Sequence, residues 1–326
     1  MNDTVGAEQT QTIILFDLGV VTVACVYTTQ VDVVAIRRTV CGMKSVFGMA
    51  RRILGRPRRT LVLTGGGARG AGQVGMLRLL LEEGLEFDAV VGCSVGALNA
   101  VRYANQPTIE ALADLEAVWE RLRSRDLFPL TPYGVFRGVA GRSHLVNPRG
   151  LQALLEKESP VQDLGLTQVP LGVVTTRLTT GKAVLWTSGP TVEILSASCA
   201  LPGILPPVLL TDGVEHIDGG VSSAAPVLLA TQNFPTDEVW LLDVMSTPDE
   251  GHHHRTLRDV YQASFSHAVK AQVDNELRAL RGPHLRHVKL PTQWSTVDST
   301  DFSKTTQLVR AGYLAAGEYL GGANRH

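Results

Sequence analysis

Residues 60–70 read Thr-Leu-Val-Leu-Thr-Gly-Gly-Gly-Ala-Arg-Gly, a short apolar run that passes directly into a glycine-rich turn. Residues 72–83, which follow, carry apolar side chains at helical spacing. This order predicts a strand, a tight turn and a helix. Closely spaced backbone N–H groups at a helix start are suited to holding an oxyanion. The turn is therefore a candidate oxyanion loop.

A second glycine-flanked turn, Gly92-Cys-Ser-Val-Gly96, follows an apolar run at 87–91 and precedes an alanine-rich helical pattern. A strand-turn-helix elbow is so tight that the positions flanking its serine tolerate little beyond glycine. The strain lifts the serine Oγ clear of the backbone, which makes Ser94 the candidate nucleophile. We expect Cys93 to point into the core and to serve in packing. Together the two turns predict a serine acyl hydrolase.

Beyond residue 60 the hydrophobic pattern alternates between strand and helix, which predicts an α/β fold. The Pro- and Gly-rich stretch 128–143 is expected to form a surface loop or lid. We expect strands at residues 60–63, 87–93, 171–176, 182–187, 238–245 and 285–290. Helices are expected at residues 72–83, 95–104, 109–123, 148–157, 192–200, 256–280 and 306–320.

The chain of 326 residues, 44% of them hydrophobic, is long enough to bury a large core. The 30 basic and 31 acidic residues give a formal net charge of -1, which argues against a nucleic-acid partner. Four scattered cysteines without CxxC spacing indicate a reducing cytoplasm. The apolar run 13–27 contains Asp17 and has no basic start, so it fits neither a signal peptide nor a membrane span.

Residues 1–59 differ in composition from residues 60–326, and we predict an N-terminal extension followed by a catalytic domain. Within the extension, apolar residues between 43 and 54 follow helical spacing and basic residues occupy the other side of the helix. This amphipathic helix could contact an anionic membrane or pack on the domain with its charges in water. Residues 37–59 contain no acid, and their basic residues are Arg37, Arg38, Lys44, Arg51, Arg52, Arg56, Arg58 and Arg59.

The first glycine run has a rival interpretation, because Gly65-x-Gly67-x-x-Gly70 also satisfies the dinucleotide-binding fingerprint. That site needs an acidic residue at the far end of the second strand. Asp88 lies at a suitable distance along the chain but at the beginning of the strand, and the strand ends in the serine elbow. The nucleotide site is therefore a minor alternative.

A serine nucleophile needs a base, and none of the nine histidines is convincing. His252–His254 lie in a polar context, His267 lies on a helical pattern, and His216 is followed directly by a better candidate. Asp218 precedes two glycines on a turn after an apolar strand. A carboxylate held against the serine Oγ, with its hydration limited, can take the proton directly.

These three motifs, in this order, resemble the three signatures of the patatin-like phospholipase family. The serine- and alanine-rich segment 196–202, which ends in Pro202, is also similar to the family's. The resemblance covers about residues 60–226 and implies a three-layer α/β/α sandwich with a mainly parallel central sheet. It implies a Ser94–Asp218 dyad without histidine and without a metal or organic cofactor. It also implies an oxyanion hole from the backbone N–H groups around Gly66, Gly67 and Ala68, with Arg69 ordering that loop.

The resemblance implies hydrolysis of carboxylic esters of phospholipids, as in a phospholipase A. Two alternatives stay open: a soluble esterase or thioesterase, and a catalytically silent lipid-binding or regulatory protein. We expect a cytoplasmic protein that contacts the inner membrane surface peripherally through residues 37–59. The expected site consists of Ser94 and Asp218, the oxyanion loop Gly65, Gly66, Gly67, Ala68, Arg69 and Gly70, the elbow glycines Gly92 and Gly96, and the turn glycines Gly219 and Gly220.

Overall fold

The computed structural model describes residues 11–17, 20–27, 30–34, 56–127, 143–245, 257–294 and 297–323. The chain separates into two compact units, Met1–Arg56 and Pro57–His326. The sequence-based boundary at residue 59 lies just inside the second unit. The predicted amphipathic segment 43–54 and nearly all of the predicted loop 128–143 lie outside the described residues.

The first unit contains a three-stranded antiparallel sheet in the order β1-β2-β3. Its strands are β1 (Gln11–Asp17), β2 (Val20–Tyr27) and β3 (Gln30–Val34). β-branched residues are frequent in all three strands, and such residues favour a pleated backbone. This meander is not among the elements predicted from the sequence.

The second unit begins with the elements that carry the two glycine turns. These are β4 (Arg59–Leu63), α1 (Ala71–Glu82), β5 (Ala89–Cys93), α2 (Val95–Asn105), α3 (Ile109–Arg121), α4 (Ser124–Leu127), α5 (Arg149–Glu158), β6 (Leu171–Arg177), β7 (Ala183–Trp186) and α6 (Thr191–Ser198). The chain continues with β8 (Val208–Leu209), β9 (Glu215–Asp218), α7 (Val227–Asn233), β10 (Glu238–Asp243), α8 (Leu257–Ala279), β11 (His284–Lys289) and α9 (Thr305–Ala323). No helix in the described ranges is both long and apolar enough to cross a bilayer.

The strands of this unit form one eight-stranded sheet with the order β11-β10-β4-β5-β6-β9-β8, and β7 pairs with β6. The neighbours from β11 to β6 run parallel. The strands β7, β8 and β9 pair antiparallel. The predicted mainly parallel central sheet is confirmed. In a parallel sheet the loops at the carboxyl ends of the strands form the usual ligand site.

Helices cover both faces of the sheet, because successive strand residues point to opposite sides. On β4, Leu61 and Leu63 pack into a core with α1, α2, α3, α5, α6 and α9. Val62, between them, joins a second core with α7 and α8. All three side chains are fully buried. The three-layer α/β/α arrangement is therefore confirmed.

The last helix, α9, packs against α1 at glycines. A Cβ added to Gly312 would overlap the carbonyl oxygen of Gly72, and a Cβ added to Gly75 would overlap that of Val309. The two helix backbones approach so closely that neither position has room for a side chain. Because α1 starts at the first glycine turn, this contact fixes the helix behind the candidate oxyanion loop.

Candidate active site

Sheet register brings Ser94 and Asp218 to the same level. β5 ends at Cys93, which pairs with Val174 on β6. The next residue of β6, Thr175, pairs with Asp218 on the antiparallel strand β9. Asp218 therefore lies one residue beyond Cys93 along the sheet, which is the level of Ser94.

The backbone of Ser94 has φ 52° and ψ −127°, the one positive φ of a non-glycine residue in the described ranges. Its flanking glycines make this turn possible. A Cβ on Gly92 would lie 2.5 Å from the oxygen of Gly96, and a Cβ on Gly96 would overlap the oxygen of Leu63. The elbow thus requires glycine at both positions, as the sequence predicts.

Ser94 and Asp218 form a direct hydrogen bond. The serine Oγ donates to Asp218 Oδ2 at 2.7 Å, and the backbone N–H of Gly220 donates to Oδ1 at 2.7 Å. Asp218 is only 5% exposed to solvent. Burial raises the pKa of Asp218 to about 6, and the two hydrogen bonds oppose that rise. The carboxyl is therefore ionised at neutral pH and can accept a proton from Ser94.

The turn that carries Asp218 is anchored to β6. A Cβ on Gly219 would overlap the carbonyl oxygen of Val174, so the turn lies directly on the strand. Thr176 Oγ1 donates to the carbonyl of Asp218 at 2.8 Å and lies 2.6 Å from Ser222 Oγ. These contacts hold the backbone of the turn on β6, and the Asp218 carboxylate is therefore held in position.

The first glycine turn lies against Ser94, the candidate nucleophile. A Cβ on Gly65 would lie 3.3 Å from the Cβ of Ser94, which is closer than most real Cβ contacts. The N–H of Gly65 donates to the carbonyl of Ala224 at 3.4 Å. Within the described part of the chain, no hydrogen bond engages the N–H groups of Gly66 and Gly67. These two groups are the donors that remain for an oxyanion.

Ala68 departs from the expectation. Its N–H donates to the carbonyl of Ser299 at 2.7 Å, so it is not a free donor and its assignment to the oxyanion hole is corrected. Gly67 has φ +60°, and a Cβ there would overlap the same Ser299 carbonyl. The segment around Ser299 therefore covers one side of the loop. Gly70, at the end of the loop, packs against Val95 of the nucleophile helix.

Arg69 connects the glycine loop to two neighbouring backbone segments. Its Nε donates to the carbonyl of Val244 at 3.1 Å and its Nη1 to that of Val297 at 2.6 Å. Burial lowers the pKa of Arg69 to about 10, while the charges of Asp298 and Asp243 oppose this change. The guanidinium thus stays charged at neutral pH and holds the loop between β10 and the segment before α9.

Ser198, in the segment 196–202, bonds the backbone of the candidate nucleophile, and the sequence alone does not single it out. Ser198 Oγ accepts the N–H of Ser94 at 2.9 Å and donates to the carbonyl of Val174 at 2.7 Å. Cys199 follows Ser198, and the Ser94 side chain opposes the rise in the pKa of its thiol. Burial raises the pKa of Cys199 well above its usual range, so the thiol stays protonated. The resemblance marked this segment, but sequence alone did not tell which serine faces the elbow.

The described histidines do not reach the nucleophile. His216 is fully buried, with Nε2 at 3.1 Å from Asp212 Oδ2 and Nδ1 at 2.8 Å from Thr175 Oγ1. Both ring nitrogens are therefore occupied. No hydrogen bond joins Ser94 to a histidine in the described ranges, and His252–His254 lie outside them.

Asp88, the acidic residue of the nucleotide alternative, lies at the opposite end of the sheet. Its Oδ2 accepts the backbone N–H of Arg59, the first residue of β4, at 2.8 Å. The glycine loop follows the last residue of the same strand. A carboxylate at the amino edge cannot contact a ribose bound at the carboxyl edge, and this placement argues against the nucleotide alternative.

The arrangement suits acyl transfer. A serine hydroxyl donates to a buried carboxylate, and two unengaged backbone N–H groups lie on the adjacent loop. These are the elements that a nucleophile, a base and an oxyanion site require. No cluster of His, Cys, Asp and Glu in the described residues could hold a metal ion.

Known proteins similar to this chain carry the same domain. A patatin-like phospholipase domain-containing protein of Caenorhabditis elegans is 33% identical over 189 residues, which cover 56% of this chain and 13% of the relative. Patatin-like phospholipase domain-containing protein 7 of Rattus norvegicus is 32% identical over 57% of this chain and 14% of its own length. Lysophospholipase NTE1 of Mycosarcoma maydis is 29% identical over 62% of this chain and 10% of its own length. The match thus spans a small part of each relative.

Among solved structures, VipD from Legionella pneumophila aligns with 99% of this chain and 72% of its own, with a TM-score of 0.48 and 15% identity. The family model of patatin-like phospholipases matches residues 61–231, which is more than half of the chain. The matched range contains both glycine turns and the Asp218 turn. The chain belongs to the patatin-like phospholipase family.

Proposed function

We propose that this protein hydrolyses carboxylic esters of phospholipids through an acyl-enzyme on Ser94. The observation that carries the proposal is the 2.7 Å hydrogen bond from Ser94 Oγ to the buried carboxylate of Asp218. A serine on a strained elbow with a carboxylate as its direct partner needs no histidine. Membership of the patatin-like phospholipase family supports the same chemistry.

In the first half of the reaction, Asp218 Oδ2 takes the proton of Ser94 Oγ as the oxygen attacks the ester carbonyl carbon. The carbonyl oxygen becomes an oxyanion, which the N–H groups of Gly66 and Gly67 stabilise. When the tetrahedral intermediate collapses, the C–O bond to the leaving alcohol breaks, and protonated Asp218 returns the proton to that alcohol. Ser94 then carries the acyl group. Removing one such donor in other acyl-transfer enzymes costs about 3–4 kcal/mol of transition-state stabilisation.

In the second half, a water molecule donates a proton to Asp218 and attacks the acyl carbon. The same two N–H groups stabilise the second tetrahedral intermediate. Its collapse breaks the bond to Ser94 Oγ, and the proton held by Asp218 returns to that oxygen. The fatty acid leaves and the dyad is restored. A base with pKa about 6 is suited to both proton transfers at neutral pH.

The lipid substrate is proposed from the relatives. One of them is named a lysophospholipase, and the matched domain is the shared part of the chains. We propose phospholipids and lysophospholipids as the substrate class. The experiment below distinguishes this proposal from its two alternatives, a soluble esterase or thioesterase and a catalytically silent binding protein.

We also propose a cytoplasmic protein with peripheral contact to an anionic membrane surface through residues 37–59. The excess of basic residues there supports it, at about 1 kcal/mol for each basic residue near the surface. Two of those residues are engaged elsewhere. Arg58 forms an ion pair with Asp237 at 2.7 Å and Arg59 one with Glu238 at 2.9 Å. The contact therefore falls to the basic residues before Arg56, and replacing Arg51 and Arg52 by Gln should weaken binding to anionic vesicles.

The test is fatty-acid release from phospholipid and lysophospholipid vesicles and from a short-chain water-soluble ester. Wild type should release fatty acid from vesicles, and Ser94→Ala should release none. Ser196→Ala is the matched control, because Ser196 is a second buried serine on α6 whose Oγ has no hydrogen-bond partner among the described residues. It should retain wild-type activity. Turnover of the soluble ester alone would support the esterase alternative, and no turnover of any substrate would support the binding protein.

A further inference from the structure

Three buried polar side chains form a network beside the glycine loop. Gln73 lies on α1, Asn99 on α2 and Trp119 on α3. Gln73 and Asn99 are fully buried, and Trp119 is 3% exposed. Trp119 Nε1 donates to Asn99 Oδ1 at 3.0 Å, and Asn99 Nδ2 donates to Gln73 Oε1 at 2.9 Å. One side chain from each of three helices is thus joined in a chain.

The network ends on backbone carbonyls at both ends of the glycine loop. Gln73 Nε2 donates to the carbonyl of Thr64 at 2.9 Å, and Asn99 Nδ2 donates to that of Gly70 at 3.0 Å. Gln73 Nε2 also donates to the carbonyl of Leu242 at 3.3 Å. The two carboxamides, which are hydrogen-bonded to each other, therefore hold the backbone carbonyls on either side of residues 65–69.

Every N–H hydrogen of the three side chains has an acceptor. Burying two carboxamides in an apolar core is unfavourable unless all their polar groups are bonded, and a fully bonded network specifies one arrangement of the elements that it joins. Within the loop, residues 65–68 carry no polar side chain, and Arg69 anchors it by side-chain hydrogen bonds near its end only. Donors from outside the loop, which bond the carbonyls of Thr64 and Gly70, therefore add to its geometry at both ends.

Asn99 also lies on the helix that begins directly after Ser94. The network thus connects the nucleophile helix to the loop that carries the N–H groups of Gly66 and Gly67. Trp119 adds a packing contact, since a Cβ on Gly70 would lie 3.1 Å from its Cη2 atom. Displacing reacting groups by about 1 Å can cost roughly 100-fold in rate.

We infer that Gln73, Asn99 and Trp119 are positioning residues, which set the distance between Ser94 and the oxyanion donors of the glycine loop. This inference rests on the proposed function for its effect on turnover. Its structural part, that the network holds residues 64–70 in place, stands independently. The two parts are measured separately.

The test compares Trp119→Phe with Trp240→Phe. Trp240 is the matched control, because it is 4% exposed and its Nε1 donates to Glu238 Oε2 at 3.2 Å, near the amino edge of the sheet. Both changes remove one indole hydrogen bond from a buried site. Gln73→Met is a second variant, similar in size but unable to donate to Thr64.

With a short-chain ester, Trp119→Phe should lower kcat about tenfold and leave KM unchanged, because only the alignment of the transition state is affected. A trifluoromethyl ketone, which forms a tetrahedral adduct with the serine, should bind about tenfold more weakly. Amide hydrogen exchange in residues 64–70 should be faster than in wild type. Gln73→Met should show the same pattern, and Trp240→Phe should match wild type in all three measurements.

The inference is overturned if Trp119→Phe and Gln73→Met keep wild-type kcat and wild-type exchange in residues 64–70. It is also overturned if Trp240→Phe loses as much kcat as Trp119→Phe, because the effect would then be general destabilisation. A wild-type protein without ester turnover would contradict the proposed function instead. In that case hydrogen exchange alone decides whether the network holds the loop.

Discussion

Ser94 adopts a strained backbone conformation that its neighbours stabilise. A non-glycine residue at φ 52° and ψ −127° costs on the order of 1–3 kcal/mol. Gly92 and Gly96 remove the steric conflicts around it, and Ser198 satisfies its N–H group. The strain holds the Oγ at the start of α2, where Asp218 can reach it.

Ser198→Ala should therefore lower both stability and rate. The change leaves the N–H of Ser94 and the carbonyl of Val174 without the Oγ that now bonds both. We expect a loss of about 1–3 kcal/mol in the free energy of unfolding and a lower kcat. Urea unfolding and ester hydrolysis measure the two effects. Ser196→Ala, on the same helix, should be neutral in both, and equal losses in the two variants would contradict this role of Ser198.

The pH dependence of kcat/KM should report Asp218. The base acts only when ionised, and burial raises its pKa to about 6. The rate should be constant above that pH and fall about tenfold per unit below it. A rate profile between pH 4.5 and 8.5 on a soluble ester measures this. A profile that is flat down to pH 4.5 would exclude a base with this pKa.

Among the described residues, Glu276 is a second carboxyl with a raised pKa, at about 7, because burial outweighs its hydrogen bonds, chiefly the one from Ser223. It could produce an inflection of its own. Glu276→Gln should leave the inflection near pH 6 in place if Asp218 is the base. Loss of the inflection near pH 6 in Glu276→Gln would show that Glu276, and not Asp218, causes it, and would contradict the prediction.

Asp218 should also reduce stability at neutral pH. The pKa is higher in the folded state than the ordinary 3.8, so the folded state binds more protons between about pH 4 and 6 and loses stability as the pH rises through that range. Above pH 6 this costs roughly 3 kcal/mol. Asp218→Asn, which cannot ionise, should melt at a higher temperature than wild type at pH 8. The difference should shrink toward pH 5, and a constant difference would contradict the raised pKa.

At the level of elements, the contact between α1 and α9 should be sensitive to a single methyl group. Gly312→Ala would place a Cβ on the carbonyl oxygen of Gly72, so the helices must separate. Overpacking of this kind costs about 1–3 kcal/mol. Gly317→Ala is the control on the same helix, because its Cβ would meet only Leu79 Cδ2 at 3.5 Å. Thermal unfolding should show a lower Tm for Gly312→Ala only, and equal Tm values would contradict the close contact.

The elements around the site could be predicted because their signals are local. A glycine turn follows each of the apolar runs 60–63 and 87–91, and the structure has β4 and β5 at Arg59–Leu63 and Ala89–Cys93. The hairpin at 171–187 and the final helix also follow from short-range patterns. The candidate base Asp218 follows from its turn context but rests mainly on the resemblance, because an Asp-Gly turn alone carries little information.

The contacts that join distant segments could not be predicted. Ser299 occupies the N–H of Ala68, although more than 200 residues separate the two along the chain. The carbonyls that bind Arg69 come from Val244 and Val297, and no sequence pattern marks a backbone carbonyl as a partner. The strands of the first unit could not be predicted, because short apolar runs interrupt the alternation of polar and apolar residues that marks a strand. In addition, no clear turn signals separate these strands.

In the second unit, two ion pairs and the candidate site lie at opposite edges of the sheet. The ion pairs Arg58–Asp237 and Arg59–Glu238 lie at the amino ends of β4 and β10. The glycine loop follows the carboxyl end of β4, and Ser94 follows that of β5. Ligand sites in open parallel α/β sheets generally lie at this carboxyl edge, where the strand connections are free to form them.

The most direct test of the Ser94–Asp218 dyad is covalent labelling with a fluorophosphonate, followed by peptide mapping. Such a reagent phosphonylates the activated serine of a hydrolase and leaves ordinary serines unmodified. We expect one label, on Ser94, formed much more slowly in Asp218→Asn and absent in Ser94→Ala. A label on a different serine, or labelling of Ser94 at the wild-type rate in Asp218→Asn, would contradict the dyad.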